Sequence, residues 1–377
     1  MRIGFNSEKI LQRTTGVGCY AYNLIKHLLA QDKENRYFLF FHSDTNNCSE
    51  ANWMEGDNVE IDSVFSEDSN VRRIIWEQLT LPKLANEKGL DIFHYVDHSL
   101  SIISKPVPTV ITVHDLAFFR HPEAYTMSRR VYKSLISRPS IRRANKIITV
   151  SEYTKQEVLE LTGVDPGKVH VVHNGINDEF RLIQDREPVD RFIREHSLPP
   201  RYILFVGTLQ PRKNVVGLIK SYALLMERKA VPHHLVICGE KGWIFDEIFM
   251  EVERSRLNDR VRFIESIPHE HLPYLYNGAE LFVYPSLFEG FGLPLLEAMR
   301  CGVPVVASST TSMPEVVGDA GVLIDPNDVE GFAQSMEEIL CDGELAADLA
   351  RRGLERSREF SWDKCARQTL DIYRSMV

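Results

Sequence analysis

The sequence predicts an α/β protein of two consecutive, doubly wound, Rossmann-like halves. Three observations predict it. The chain has 377 residues, which at roughly 150 residues per domain makes two domains rather than one. Short runs rich in Val, Ile and Phe alternate with helical patterns, and continuous apolar strands between helices imply parallel sheets covered on both faces. The series breaks once, in a polar stretch from Asn174 to Pro200, where Pro199-Pro200 stops any helix before the next strand.

Each element follows in order. Arg2 to Asn6 is the first strand, then a loop, then a helical pattern from Val17 to Ala30. Tyr37 to His42, Asp91 to Tyr95, Thr109 to Val113 and Lys146 to Val150 read as further buried strands. The second series has strands at Tyr202 to Val206, His234 to Cys238, Val261 to Ile264, Glu280 to Tyr284, Val303 to Ala307 and Gly321 to Ile324. Helices are predicted at Asn214 to Glu227, Leu293 to Arg300 and Val329 to Leu340. The domains are then 1–183 and 184–360. Ligands of such sheets bind at the strand C-terminal ends, so the expected site is a cleft between the halves.

Composition narrows the function. Lys plus Arg is 44 and Asp plus Glu is 53, a net charge of −9, which weighs against a nucleic-acid coat. Cys19, Cys48, Cys238, Cys301, Cys341 and Cys365 form no C-x-x-C and no matching Cys/His set. They read as reduced, mostly buried thiols, not as a zinc site. Met1 to Phe5 lacks a signal-peptide apolar region, and no apolar run approaches the roughly 20 residues of a spanning helix. The expectation is a soluble cytoplasmic enzyme.

Three loops carry chemistry. Gly16-Val17-Gly18 lies between the first strand and first helix, where glycine permits positive φ and close backbone approach, and the helix offers N–H groups to an anion. A dinucleotide fingerprint is disfavoured, because Ala21 stands where the third glycine belongs. Gly207 to Asn214 follows the strand ending at Val206 and holds Arg212 and Lys213, a planar fork and a point charge suited to a diphosphate. Alone, such a pair would read as solvated loop cations. The third loop runs from Pro285 to Met299. Gly290 and Gly292 make it adaptable, Pro294 fits a first helical turn, and that helix aims its amides back into the loop. Glu289 and Glu297 are spaced to hold two polyols of one ligand; as bland alternatives they are a loop acid and an exposed helix position.

With these loops in place, the chain resembles the retaining, nucleotide-sugar-dependent glycosyltransferases of family four, which have the GT-B fold. The signature is Glu289-x7-Glu297 within Phe288-Glu289-Gly290-Phe291-Gly292-Leu293-Pro294. Val113-His114-Asp115-Leu116, Val150-Ser151-Glu152-Tyr153-Thr154, His173-Asn174-Gly175-Ile176, Arg212-Lys213-Asn214 and Pro314-Glu315-Val316-Val317-Gly318 support it in order along nearly the whole chain. The resemblance implies that Arg212 and Lys213 bind the donor diphosphate and Glu297 the ribose hydroxyls. Glu289 faces the donor sugar, and the amides of Gly290, Phe291, Gly292 and Leu293 hold sugar hydroxyls and phosphate. His114 sits beside the transferred sugar, and Gly16 and Gly18 form a loop near phosphate and acceptor. Asp115 is a weaker acceptor candidate. The terminal segment 361–377 is expected to return to the first domain.

The implied reaction moves a hexose from a nucleotide diphosphate sugar to a saccharide or lipid-linked saccharide with retention of configuration. The Val113 to Thr126 segment is similar to transferases of bacterial surface-polysaccharide assembly, some of them mannosyltransferases. No D-x-D metal motif occurs, so no metal or other cofactor is expected and Arg212 and Lys213 face the leaving diphosphate, with the domains closing around the donor. Two alternatives share the fold: a nucleotide-sugar epimerase, which needs no acceptor, and a non-catalytic sugar-nucleotide sensor.

One stretch departs from the acidic average. From Ala124 to Ser151 there is no acid, and Arg129, Arg130, Lys133, Arg138, Arg142, Arg143 and Lys146 interleave with apolar residues. Such text either packs as core helices with solvated cations or lies on an anionic membrane at the inner face through 127–146. Pro139 is expected to split it into two short helices.

Overall fold

The computed structural model describes residues 1–11, 15–42, 54, 56–63, 70–98, 100–101, 103–104, 107–122, 125, 127–229, 231–265 and 267–377. The chain divides into two compact units, Met1–Gly175 with Ser361–Val377, and Ile176–Phe360.

The first unit runs β1 (Arg2–Asn6), α1 (Gly16–Gln31), β2 (Arg36–Phe41), β3 (Val59–Ser63), α2 (Asn70–Ile75), a π-helical turn (Trp76–Thr80), α3 (Leu81–Glu87), β4 (Ile92–Tyr95), β5 (Thr109–Val113), α4 (Ala117–Arg120), α5 (Met127–Arg143), β6 (Lys146–Thr149), α6 (Glu152–Thr162) and β7 (Val169–Val171). All strands are parallel, in the order β3-β2-β1-β4-β5-β6-β7. The order reverses between β1 and β4, which makes their C-terminal ends the natural ligand edge. The apolar strands predicted from sequence occupy the centre of the sheet. The two strands it did not predict, β3 and β7, lie at its edges. β3 is largely exposed, with the sequence VEIDS, so it lacks the apolar run that marks a buried strand.

α1 starts where Thr15 takes an extended conformation and its hydroxyl accepts from Gly18 N at 3.0 Å. Gly16 and Gly18 therefore form its first turn, not a loop, and neither has positive φ. α5 is continuous through Pro139, contrary to the expected split. Proline removes the amide that would bond to the carbonyl of Leu135, and Leu135 is 67% exposed, so water reaches that side of the helix. The other side is pinned by buried Ile141 and by Ser140 Oγ donating to Leu100 O at 3.1 Å. The side chains of Arg129 and Arg130, together with Glu123, Ala124 and Cys48, lie outside the described residues. Among those described, the cysteines are free; Cys238, Cys301 and Cys365 are buried, Cys19 half-buried and Cys341 exposed.

The second unit runs α7 (Glu187–Glu195), β8 (Tyr202–Val206), α8 (Val215–Arg228), β9 (His234–Cys238), α9 (Asp246–Arg254), β10 (Val261–Ile264), α10 (Leu272–Gly278), β11 (Leu281–Tyr284), α11 (Leu293–Arg300), β12 (Val305–Ser308), α12 (Met313–Val317), β13 (Val322–Ile324), α13 (Val329–Cys341) and α14 (Gly343–Ser357). Its six parallel strands take the order β10-β9-β8-β11-β12-β13, reversing between β8 and β11. The expected polar linker contains α7, which buries Val189 and Phe192 at helical spacing. Residues 176–183 count with this second unit: Asn277 accepts from Ile183 N at 2.8 Å and donates to Arg181 O at 2.9 Å.

α15 (Trp362–Arg374) belongs to the first unit and packs on α1. His27 Nδ1 lies 2.9 Å from Asp363 Oδ1, and Gln31 Nε2 donates to the same oxygen at 2.7 Å. A glycine makes the return possible: a Cβ on Gly175 would stand 2.0 Å from Trp362 N. Among the described residues no helix is long and apolar enough to cross a membrane.

Candidate active site

In the second unit the predicted loops meet at the β8/β11 reversal. After β8, residues Pro211–Lys213 form one 3-10 turn, ended by Asn214 in the left-handed conformation (φ 53°). After β11, the chain runs to Gly292, whose φ of 104° favours glycine, and enters α11 through Pro294 near its start. Two bonds stitch the loops together: Leu287 N and Ser286 Oγ both donate to Arg212 O, at 2.8 and 3.1 Å.

Glu289 is the centre. Its Oε1 accepts from Lys213 Nζ at 2.6 Å, Ser286 Oγ at 2.6 Å and Tyr284 Oη at 3.1 Å; its Oε2 accepts from Arg212 Nη1 at 3.0 Å. Lys213 Nζ is also 2.5 Å from Tyr284 Oη. The Glu289 backbone is held too: its N–H donates to Thr311 Oγ1 at 3.2 Å and its C=O accepts from Ser312 Oγ at 3.0 Å. Burial pushes the carboxyl up, but Arg212, Lys213 and Ser286 outweigh that and hold it at about 2. Two cations against one carboxylate leave a positive charge in excess. The first turn of α11 adds its amides, worth roughly half a positive charge.

Glu297 behaves oppositely. It is buried, not exposed, and its Oε2 accepts from Tyr276 Oη at 2.7 Å. Burial raises its pKa; the Tyr276 bond and His269 counteract only part of that rise. His269 Nδ1 pairs with Glu179 at 2.8 Å. A ring series, Tyr276–Phe282–Tyr284 with centroids 5.5 and 5.8 Å apart, links Glu297 to the Glu289 cluster.

The first unit gathers its own set. His114 follows β5, and its Nε2 is 2.8 Å from Val96 O, a carbonyl that only accepts. The neutral ring therefore carries its proton on Nε2 and leaves Nδ1 as the acceptor. Burial lowers its pKa, against the pull of the Val96 bond. Tyr20, one turn after Gly16, meets the His114 ring edge-on at 4.7 Å. Asp115 Oδ1 accepts from Ala117 N at 3.1 Å, so it serves the start of α4. Lys133 turns inward over Phe118 and Tyr125 (5.4 and 5.6 Å), and Arg138 lies over Phe119 (4.8 Å).

The structure thus gathers Arg212, Lys213, Glu289, Gly290, Phe291, Gly292, Leu293 and Glu297 in one unit, and Gly16, Gly18 and His114 in the other. Sequence reasoning missed Tyr276, Tyr284, Ser286, His269, Thr311 and Ser312. Tyr284 and Ser286 flank the start of the loop singled out above, at the end of a strand facing the ligand edge; Tyr276 carried no signal beyond an aromatic in a helix.

Comparison with known proteins gives a consistent result. Residues 14–180 match the model "Glycosyltransferase Family 4" and 187–356 match "Glycosyl transferases group 1". The chain is 32% identical to O-antigen chain mannosyltransferase B of Escherichia coli over 387 aligned positions, covering 99% of this chain and 100% of that one. In structure it is similar to sucrose-phosphate synthase from Thermosynechococcus elongatus, with a TM-score of 0.79 at 21% identity, over 100% of this chain and 99% of that one. It is also similar to Anabaena Alr3699/HepE in complex with UDP-glucose, with a TM-score of 0.78 at 18% identity over 100% of both chains.

Proposed function

Because this chain belongs to the family-four, group 1 glycosyltransferases and has their GT-B fold, we propose that it transfers a hexose, mannose in the first instance, from a nucleotide diphosphate sugar to a saccharide or lipid-linked saccharide in surface-polysaccharide synthesis. The observation that carries this reading is the buried Lys213–Glu289–Arg212 cluster at the sheet reversal, on a chain aligned end to end with an O-antigen chain mannosyltransferase.

The chemistry follows from the parts. The sugar–phosphate bond breaks through a cation-like state, and negative charge gathers on the leaving diphosphate. Arg212, Lys213 and the first turn of α11 are fixed where that charge grows, so no reorganisation is needed during the step. Glu289, kept ionised by its cations, faces the sugar, while its backbone bonds hold the loop. Glu297 accepts from the ribose hydroxyls, which would add to the Tyr276 bond on its buried carboxylate. His114, neutral and with Nδ1 as acceptor, lies beside the transferred sugar. Retention comes with the family, and the protein's cations take the place a metal would have.

A thermal-shift screen of GDP-, UDP- and dTDP-sugars tests this, since a ligand of the folded state raises its stability. GDP-mannose is expected to stabilise the wild type and to lose that effect in Lys213→Ala. A donor-only incubation that returns an epimerised sugar would contradict transfer.

A further inference from the structure

Behind His114 lies a chain of polar side chains in an otherwise apolar core. Tyr373 Oη on α15 is 2.5 Å from His94 Nδ1; His94 Nε2 is 2.8 Å from Thr112 Oγ1; Thr112 Oγ1 is 2.9 Å from Tyr20 Oη. All four residues have zero exposure. The chain ends where the Tyr20 ring meets the His114 ring edge-on, at 4.7 Å and 80°.

The arrangement is costly unless it orients something. Burying hydroxyls and an imidazole forfeits hydration, and apolar residues of similar volume would fill the same core. Here every link is made, and a completed buried network rigidifies its members. His94 uses both ring nitrogens, and burial pushes it down to about 3, so it stays neutral and passes orientation rather than charge. One Thr112 oxygen, Oγ1, meets both Tyr20 and His94, so the two contacts share a single rotamer. Tyr20, held at its hydroxyl, lays its ring edge-on against that of His114, whose tautomer Val96 O already sets.

We propose that Tyr373, His94 and Thr112 are positioning residues that hold Tyr20, and through it His114, in the geometry used for sugar transfer. The C-terminal helix is then a working part of the active site. This rests on the reading above that places His114 beside the transferred sugar.

The test uses the full-length protein with Tyr373→Phe, Thr112→Val, Thr112→Ser and His114→Ala. Two readouts are taken: the His114 ring signals in 15N-histidine NMR, assigned by their loss in His114→Ala, and GDP release from GDP-mannose with a mannose-terminated acceptor. Tyr373→Phe and Thr112→Val are expected to shift the His114 signals and to lower kcat roughly tenfold, with the donor KM within about twofold. Thr112→Ser, which keeps the hydroxyl, is expected to restore both. His114 signals unmoved in folded Tyr373→Phe and Thr112→Val overturn the relay. Shifted signals with wild-type turnover in His114→Ala overturn the assignment of His114, and with it the catalytic role of the relay. Should Tyr373→Phe fail to fold, the Thr112 pair decides alone.

Discussion

Lys213 Nζ lies 2.6 Å from Glu289 Oε1, with 10% and 9% of the two side chains exposed. A buried pair of this kind is worth little against an apolar replacement, but breaking it strands a charge without water. Arg212 makes the arrangement lopsided, since it shares the same carboxylate. The cluster therefore holds its cations rigid before a ligand arrives, with two cations against the one carboxylate of Glu289. That is the electrostatic form a diphosphate site requires.

Glu289→Gln leaves Arg212 and Lys213 facing each other across a neutral amide. The expected loss of stability is about 3–5 kcal/mol, read from urea unfolding at pH 7. An unchanged midpoint would show that the cluster is hydrated and contributes nothing to folding.

The two glutamates of the signature are expected to have opposite pH signatures. Glu289 titrates at about 2 in the folded chain against an ordinary 4.5. Its contribution is whole above 4.5 and drains as pH falls towards 2. Glu297 is raised by burial, so its ionised form costs stability above its folded value, and that cost fades as pH falls through 4.5. Glu297→Gln keeps an acceptor for Tyr276 and removes the cost. It is expected to stabilise the chain at pH 7 and not near pH 3, while weakening the response to GDP-mannose. Urea midpoints across that range give the comparison.

These glutamates also show where sequence reading ends. Every strand but the edge strands β3 and β7, the sheet class and the loops at the β8/β11 reversal were legible, because apolar periodicity and glycine, proline and charge at loop positions carry them. The burial of Glu297 was not: its partner Tyr276 lies 21 positions earlier in another helix, and pairing across elements leaves no local pattern. Pro139 misled because tertiary anchoring through Ile141 and Ser140 overrides a helix-breaking residue. Gly16 and Gly18 misled because the Thr15 cap that places them in a helix leaves the same sequence text as a loop.

Membrane contact through 127–146 remains a proposal, and the structure changes which residues test it. Lys133 and Arg138 lie over aromatic rings, and Arg142 Nε donates to Thr162 O at 2.9 Å, so these cations are engaged within the fold. Met127 and Leu135 are 71% and 67% exposed on the same helix. If α5 enters the interface, Leu135→Glu is expected to lower co-sedimentation with vesicles containing phosphatidylglycerol by roughly threefold or more, as apolar area is lost and an acid faces an anionic surface. Equal pelleting of wild type and Leu135→Glu would remove α5 as the contact.

Replacing Gly175 tests how α15 is joined to the first unit. A Cβ there would lie 2.0 Å from Trp362 N and 2.4 Å from Ser361 C, both backbone atoms, so no side-chain rotation relieves the clash. The start of α15 must move, and with it Trp362, whose ring lies 6.1 Å from that of Tyr20. Gly175→Ala is expected to cost about 3 kcal/mol and to lower turnover beyond what the stability loss explains, because Tyr20 loses one of its walls. Turnover measured well below the melting temperature separates the two effects. A variant that keeps full turnover while melting early would confine Gly175 to packing and leave α15 free to shift without disturbing His114.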